Sequence, residues 1–61
     1  MSNQALQAAY EAAVEAYGEE IALQAAAAGV EAFNSNALAG SDQAECEAEQ
    51  IAAFESALHS A

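Results

Sequence analysis

Leu6, Tyr10, Val14, Tyr17 and Ile21 follow one another at intervals of 4, 4, 3 and 4 residues. At about 100° per residue, the five side chains fall within an arc of roughly 80°. That is one apolar stripe on one helix, and it must find a surface to bury against. The chain has little to offer. Beyond the stripe, the large apolar side chains are Leu23, Val30, Phe33, Leu38, Ile51, Phe54 and Leu58. The 56% hydrophobic content comes mostly from alanine. Alanine is the best helix former but removes little area from water, at about 25 cal/mol per Å². Helix is therefore strongly favoured and a thick core is not. Sixty-one residues allow one domain, spanning 1–61. At that size only about 60% of the unfolded surface is buried, so a staple, a metal or a second copy is the usual remedy. One cysteine gives no disulfide framework, which leaves self-association.

Ten acids stand against no lysine and no arginine, for a formal charge of −10. Anionic lipid and nucleic acid would both repel such a chain, so neither is an expected partner. The longest uncharged helical run, Ile21 to Val30, is far short of the ~20 residues a membrane span needs. No basic n-region of an ordinary signal peptide is present. Proline, threonine and tryptophan are also missing. That alphabet fits selection against basic residues, or a designed chain with no natural partner, equally well.

The pattern predicts a helical hairpin. Ser2 and Asn3 are suited to cap the first helix. Glu11, Glu15 and Glu19 lie on the face opposite the stripe, and Gly18 falls inside the helix, where it suits close approach of another backbone. Past Ile21 the apolar face changes to Leu23, Val30 and Phe33. Two accounts fit. The helix ends at Gly29 as a left-handed cap, or it continues to Phe33 and offers a second face to another neighbour. Helical spacing and the propensity of Ala25 to Ala28 favour the second. The long helix is then expected over about 3–33. Asn34, Ser35 and Asn36 compete with helix through their side chains, giving a loop over about 34–41. Asp42 and Glu45 have capping-box spacing and open the last helix, about 42–58, with Ile51, Phe54 and Leu58 as its stripe.

Two helices with narrow stripes cannot enclose a core, so the expected fold is an all-α hairpin completed by association into a bundle or helical assembly. The expected interface is Leu6, Tyr10, Val14, Tyr17, Ile21, Leu23, Val30, Phe33, Ile51, Phe54 and Leu58.

Chemistry-bearing residues are sparse. Cys46 is flanked by Glu45 and Glu47, where a reactive cysteine needs a cation or base. It reads first as a small half-buried hydrophobe, and next as a disulfide partner across a dimer seam. His59 lies near a helix C-terminus, where a cation is favoured, with Glu55 one turn before it. Two ligands from one helix make a weak metal site unless a second copy supplies more. Glu47 sits at the edge of the Phe54 stripe and reads as a solvated carboxylate. Tyr10 and Tyr17, one heptad apart, read as core residues with their hydroxyls at the rim. No phosphate loop, catalytic triad, calcium loop or zinc-ligand cluster is present. No catalytic residue, cofactor or metal is expected. The leading expectation is a structural, self-assembling protein favoured by acid, salt or divalent cations. The alternative is an acidic module that mimics nucleic-acid charge and occupies a basic protein surface.

Overall fold

A computed structural model describes residues 4–60, so the Ser2 and Asn3 cap lies outside the described residues. The chain is all-α, with three helices: α1 (Gln4–Tyr17), α2 (Glu19–Leu38) and α3 (Gln43–Ser60). The expected long helix is divided at Gly18. There φ is +99° and ψ is 157°, a region essentially reserved for glycine. The helical bonds run through this residue from both sides. Its N–H donates to Val14 O at 3.0 Å, closing α1, and its carbonyl accepts from Ala22 N–H at 3.1 Å, opening α2. The direction changes with no loop residue spent. Nothing stands within 4 Å of where a Gly18 Cβ would be. The glycine serves the turn, not a close approach, contrary to expectation.

Gly29 has the opposite role. α2 continues through it, and a Cβ there would lie 3.0 Å from Gln50 O and 3.2 Å from Gln50 Cγ. This is where α2 and α3, the most extensively packed pair, come closest to sharing backbone contact. Alanine at 29 would gain roughly 1 kcal/mol of helix propensity but force two backbones apart, at about 1–3 kcal/mol. Gly29→Ala is therefore expected to lower stability by roughly 1 kcal/mol in thermal melts; a stabilised variant would contradict this packing.

The connection between α2 and α3 is shorter than expected. Asn34, Ser35 and Asn36 remain helical, because the competing side chain is satisfied within the helix: Asn36 Nδ2 donates to Ala32 O at 2.8 Å. The helix ends a turn later. Gly40, at φ +93°, donates to Ala37 O, and Ser41 N–H donates to Asn36 O. These are the two bonds of a Schellman ending. Asp42 then caps α3, accepting from Glu45 N–H at 2.9 Å. A four-residue connection returns α3 antiparallel to α2.

The division at Gly18 lets α1 fold back. Phe54 is fully buried and Leu58 is 8% exposed, among Ala13, Ala22 and Ala25. Leu6, Tyr10, Val14 and Ile21 pack against this cluster. Tyr10 and Phe54 meet ring to ring at 6.4 Å, tilted by 43°. A third helix thus covers much of what two helices could not.

Candidate functional site

α2 is apolar on two sides. Ala22, Ala25 and Gly29 are buried inward. On the far side Leu23, Ala27, Val30, Asn34, Ala37 and Leu38 fall within an arc of about 100°. All six are exposed. The large ones are 53%, 49% and 90% exposed at Leu23, Val30 and Leu38. This is the second face expected from the change of stripe near Ile21, and among the described residues of one copy nothing covers it. Only Glu31 interrupts the charge-free sequence between Ile21 and Ser41. Glu19 and Glu20, in the first turn of α2, fall on this same side; the remaining acids are Glu11 and Glu15 on α1, Asp42 before α3, and Glu45, Glu47, Glu49 and Glu55 on α3.

An open cleft of about 290 Å³ lies between α1 and α3. Its α1 wall is small: Ala9, Ala12, Ala13 and Ala16. Phe54 and Leu58 supply the α3 side, with Tyr17, Glu55 and His59 also lining it. Alanine at every turn of α1 leaves this space.

The eleven residues expected at an interface divide accordingly. Leu6, Tyr10, Val14, Ile21, Phe54 and Leu58 belong to the internal cluster or pack on it. Phe33 and Ile51 are half-buried. Tyr17, Leu23 and Val30 face water. Leu38 was expected in a loop and Asn34 as a helix breaker; the helix carries both onto the outer face. The 3-4 spacing from Leu23 through Ala37 was the signal in the letters that would have placed Asn34 there.

Cys46 is 2% exposed, and its Sγ donates to Ser41 O at 3.8 Å. A thiol held there cannot meet its counterpart on another copy unless the α3 N-terminus opens, which disfavours the cross-seam disulfide. Glu47 is half-buried at the edge of its stripe, while the remaining carboxylates are exposed. Glu55 and His59 share the cleft, but among the described residues no three His, Cys, Asp or Glu side chains gather as a metal would require. Among those residues, too, no helix is long and apolar enough to cross a membrane. Comparisons with protein-family models, with curated proteins and with solved structures find no match for this chain.

Proposed function

We propose that this chain is a structural, self-associating helical protein and not an enzyme. The observation that carries the reading is the uncovered outer face of α2, with Leu23, Val30 and Leu38 in water. Surface area supports it. A folded monomer of 6.2 kDa is expected to expose about 3,700 Å², and this one exposes 4,040 Å². A second copy would cover part of the excess.

Charge opposes that step. Each copy carries −10, and all but one of the acids are exposed with no lysine or arginine to pair with. At about 0.01 M salt the Debye length is roughly 30 Å. That is close to the long dimension of the molecule, 33 Å, so acids well away from the contact still repel across it. At about 0.15 M salt the reach falls to roughly 8 Å, and only charges at the contact still matter. Association at pH 7 is expected to tighten at least tenfold from 10 mM to 500 mM salt, and again as pH falls towards the isoelectric point of 4.1. Millimolar calcium or magnesium should act in the same direction. Sedimentation velocity with circular dichroism checks this. A helical monomer across all these conditions, at protein concentrations up to about 1 mM, would remove the reading.

The exposed acids also favour a second reading, an acidic module held on a basic protein surface. The two readings have opposite salt signs. Salt strengthens contact between like-charged copies and weakens contact with a basic partner, so one titration separates them.

A further inference from the structure

The cleft between α1 and α3 is lined in two tiers. Ala9, Ala13, Phe54 and Leu58 form its inner surface and are buried or half-buried. Ala12, Ala16, Tyr17, Glu55 and His59 form its rim and are exposed. Its walls are α1 and α3, so it is independent of the outer face of α2 on which the self-association rests.

Volume sets the size of an occupant. A cavity of about 150 Å³ holds benzene. The 290 Å³ here takes such a ring with a short arm, roughly ten non-hydrogen atoms, at the low end of small-molecule sites. Charge sets its chemistry. With the histidine neutral, Glu55 is the one charged side chain lining the cleft among the described residues. The chain has no lysine or arginine to neutralise it. Tyr17 lines the same cleft and is 45% exposed, and the face of an aromatic ring attracts a cation. Two helix ends act in the same sense. Ala16 and Tyr17 belong to the last turn of α1, and Leu58 and His59 to the last turn of α3, where the helix carries partial negative charge. The positive end of α2 begins close by, but Glu19 and Glu20 occupy its first turn. An anion is therefore repelled, and a neutral apolar molecule leaves Glu55 and both helix ends unused.

We propose that this cleft binds a small arylalkylammonium ion, with its ring on Ala9, Ala13, Phe54 and Leu58 and its ammonium between the Glu55 carboxylate and the Tyr17 ring. The site is open on one side and its ion pair is in contact with water. Binding is accordingly weak, with a dissociation constant near 1 mM for a ligand of this size. The ammonium group is worth about fivefold over a neutral group of the same shape.

The test is a nuclear magnetic resonance titration of the full chain at pH 7 and low salt, with helicity followed by circular dichroism. The probes are 2-phenylethylammonium, 2-phenylethanol and phenylacetate. The ammonium is expected to saturate, shifting the methyl signals of Ala9, Ala12 and Ala16. The alcohol should bind about fivefold more weakly, and phenylacetate should show no saturable shift. Glu55→Gln should reduce the ammonium to the level of the alcohol. Glu11→Gln, equal in net charge but outside the cleft, should stay within twofold of the parent. Ala16→Leu places a larger side chain at an exposed rim position and should abolish binding at unchanged helicity. Equal losses in Glu55→Gln and Glu11→Gln would show cations gathering on the net charge alone and would overturn the site. So would an alcohol that binds as tightly as the ammonium, an Ala16→Leu variant that binds like the parent, or no saturation by about 10 mM ammonium. None of these outcomes bears on self-association, which is read from mass in the absence of any probe.

Discussion

Phe54→Ala is expected to abolish the cooperative unfolding transition of this chain. Phe54 is the largest side chain with no exposed surface, and it joins all three helices. It meets the tilted ring of Tyr10 of α1, lies beside the Gly29 crossing of α2, and belongs to α3. Truncating a buried phenylalanine costs about 3–5 kcal/mol, and the value depends on how well the surroundings collapse into the space. Here they collapse poorly. Ala13, Ala22 and Ala25 line the cluster and have no rotamers to swing into a cavity. The cost belongs at the upper end of the range. Total stability at roughly 0.05–0.15 kcal/mol per residue is about 3–9 kcal/mol for a chain this long. One substitution therefore removes half or more of it. Far-ultraviolet dichroism should retain partial helix, since alanine-rich segments keep their propensity, while the sigmoidal melt is lost. Leu38→Ala is the matched control: at 90% exposure it should shift stability by less than about 0.5 kcal/mol. A sharp Phe54→Ala melt within about 1.5 kcal/mol of the parent would show that the cluster is not what holds the helices together.

What the letters revealed and what they hid divides along one physical line. Features decided by neighbouring residues were legible. The Asp42–Glu45 cap depends on a side chain reaching an amide three residues on, and it forms as the spacing predicts. The all-α class, set by alanine content, is equally local. The two apolar faces of α2 were also legible, because a change of stripe is a change of phase that can be counted. The roles of Gly18 and Gly29 were not. Both interrupt alanine-rich helix, and only tertiary structure separates them: Gly29 faces Gln50 across a helix crossing, whereas Gly18 faces nothing. The stripe itself hid the break. A single-residue turn changes the direction of the axis without altering sequence spacing, so Val14, Tyr17 and Ile21 keep helical intervals across a point where the helix ends. Asn34 to Asn36 misled for a related reason. Their side chains do compete for backbone, but Asn36 bonds to a carbonyl one turn back and so stays within the helix. The candidate face of α2 was half visible: Leu23 and Val30 could be placed, while Asn34 and Leu38 needed the helix to run past the residues expected to stop it.

Gly18→Ala should open the molecule. The turn holds φ at +99° and ψ at 157°, where an L-residue with a Cβ carries about 1–3 kcal/mol of strain. The same alanine in a continuous helix gains roughly 1 kcal/mol over glycine. Together these move the balance by about 2–4 kcal/mol from the folded-back form towards a straight helix. Opposing this is the packing of α1. Leu6, Tyr10 and Val14 are only partly buried, at roughly 1 kcal/mol each, and with the part of Phe54 and Leu58 that they cover they hold α1 down by about 3–5 kcal/mol, a similar amount. The variant is thus poised between two shapes. In the open one α1 and α2 merge into a rod of about 35 residues, some 50 Å long, and the Cα radius of gyration of 11.1 Å rises towards roughly 15 Å. That form exposes Phe54 and Leu58, and the α1 segment of another copy is the surface that fits them, so at higher concentration the outcome is a domain-swapped dimer. Small-angle scattering over a concentration series reads both steps. Chemical synthesis of a chain this short permits a sharper comparison. D-alanine at position 18 favours positive φ and should preserve the folded-back form, while L-alanine should not. If the two epimers gave the same compact particle at every concentration, the turn at Gly18 would not be what turns a hairpin into three helices.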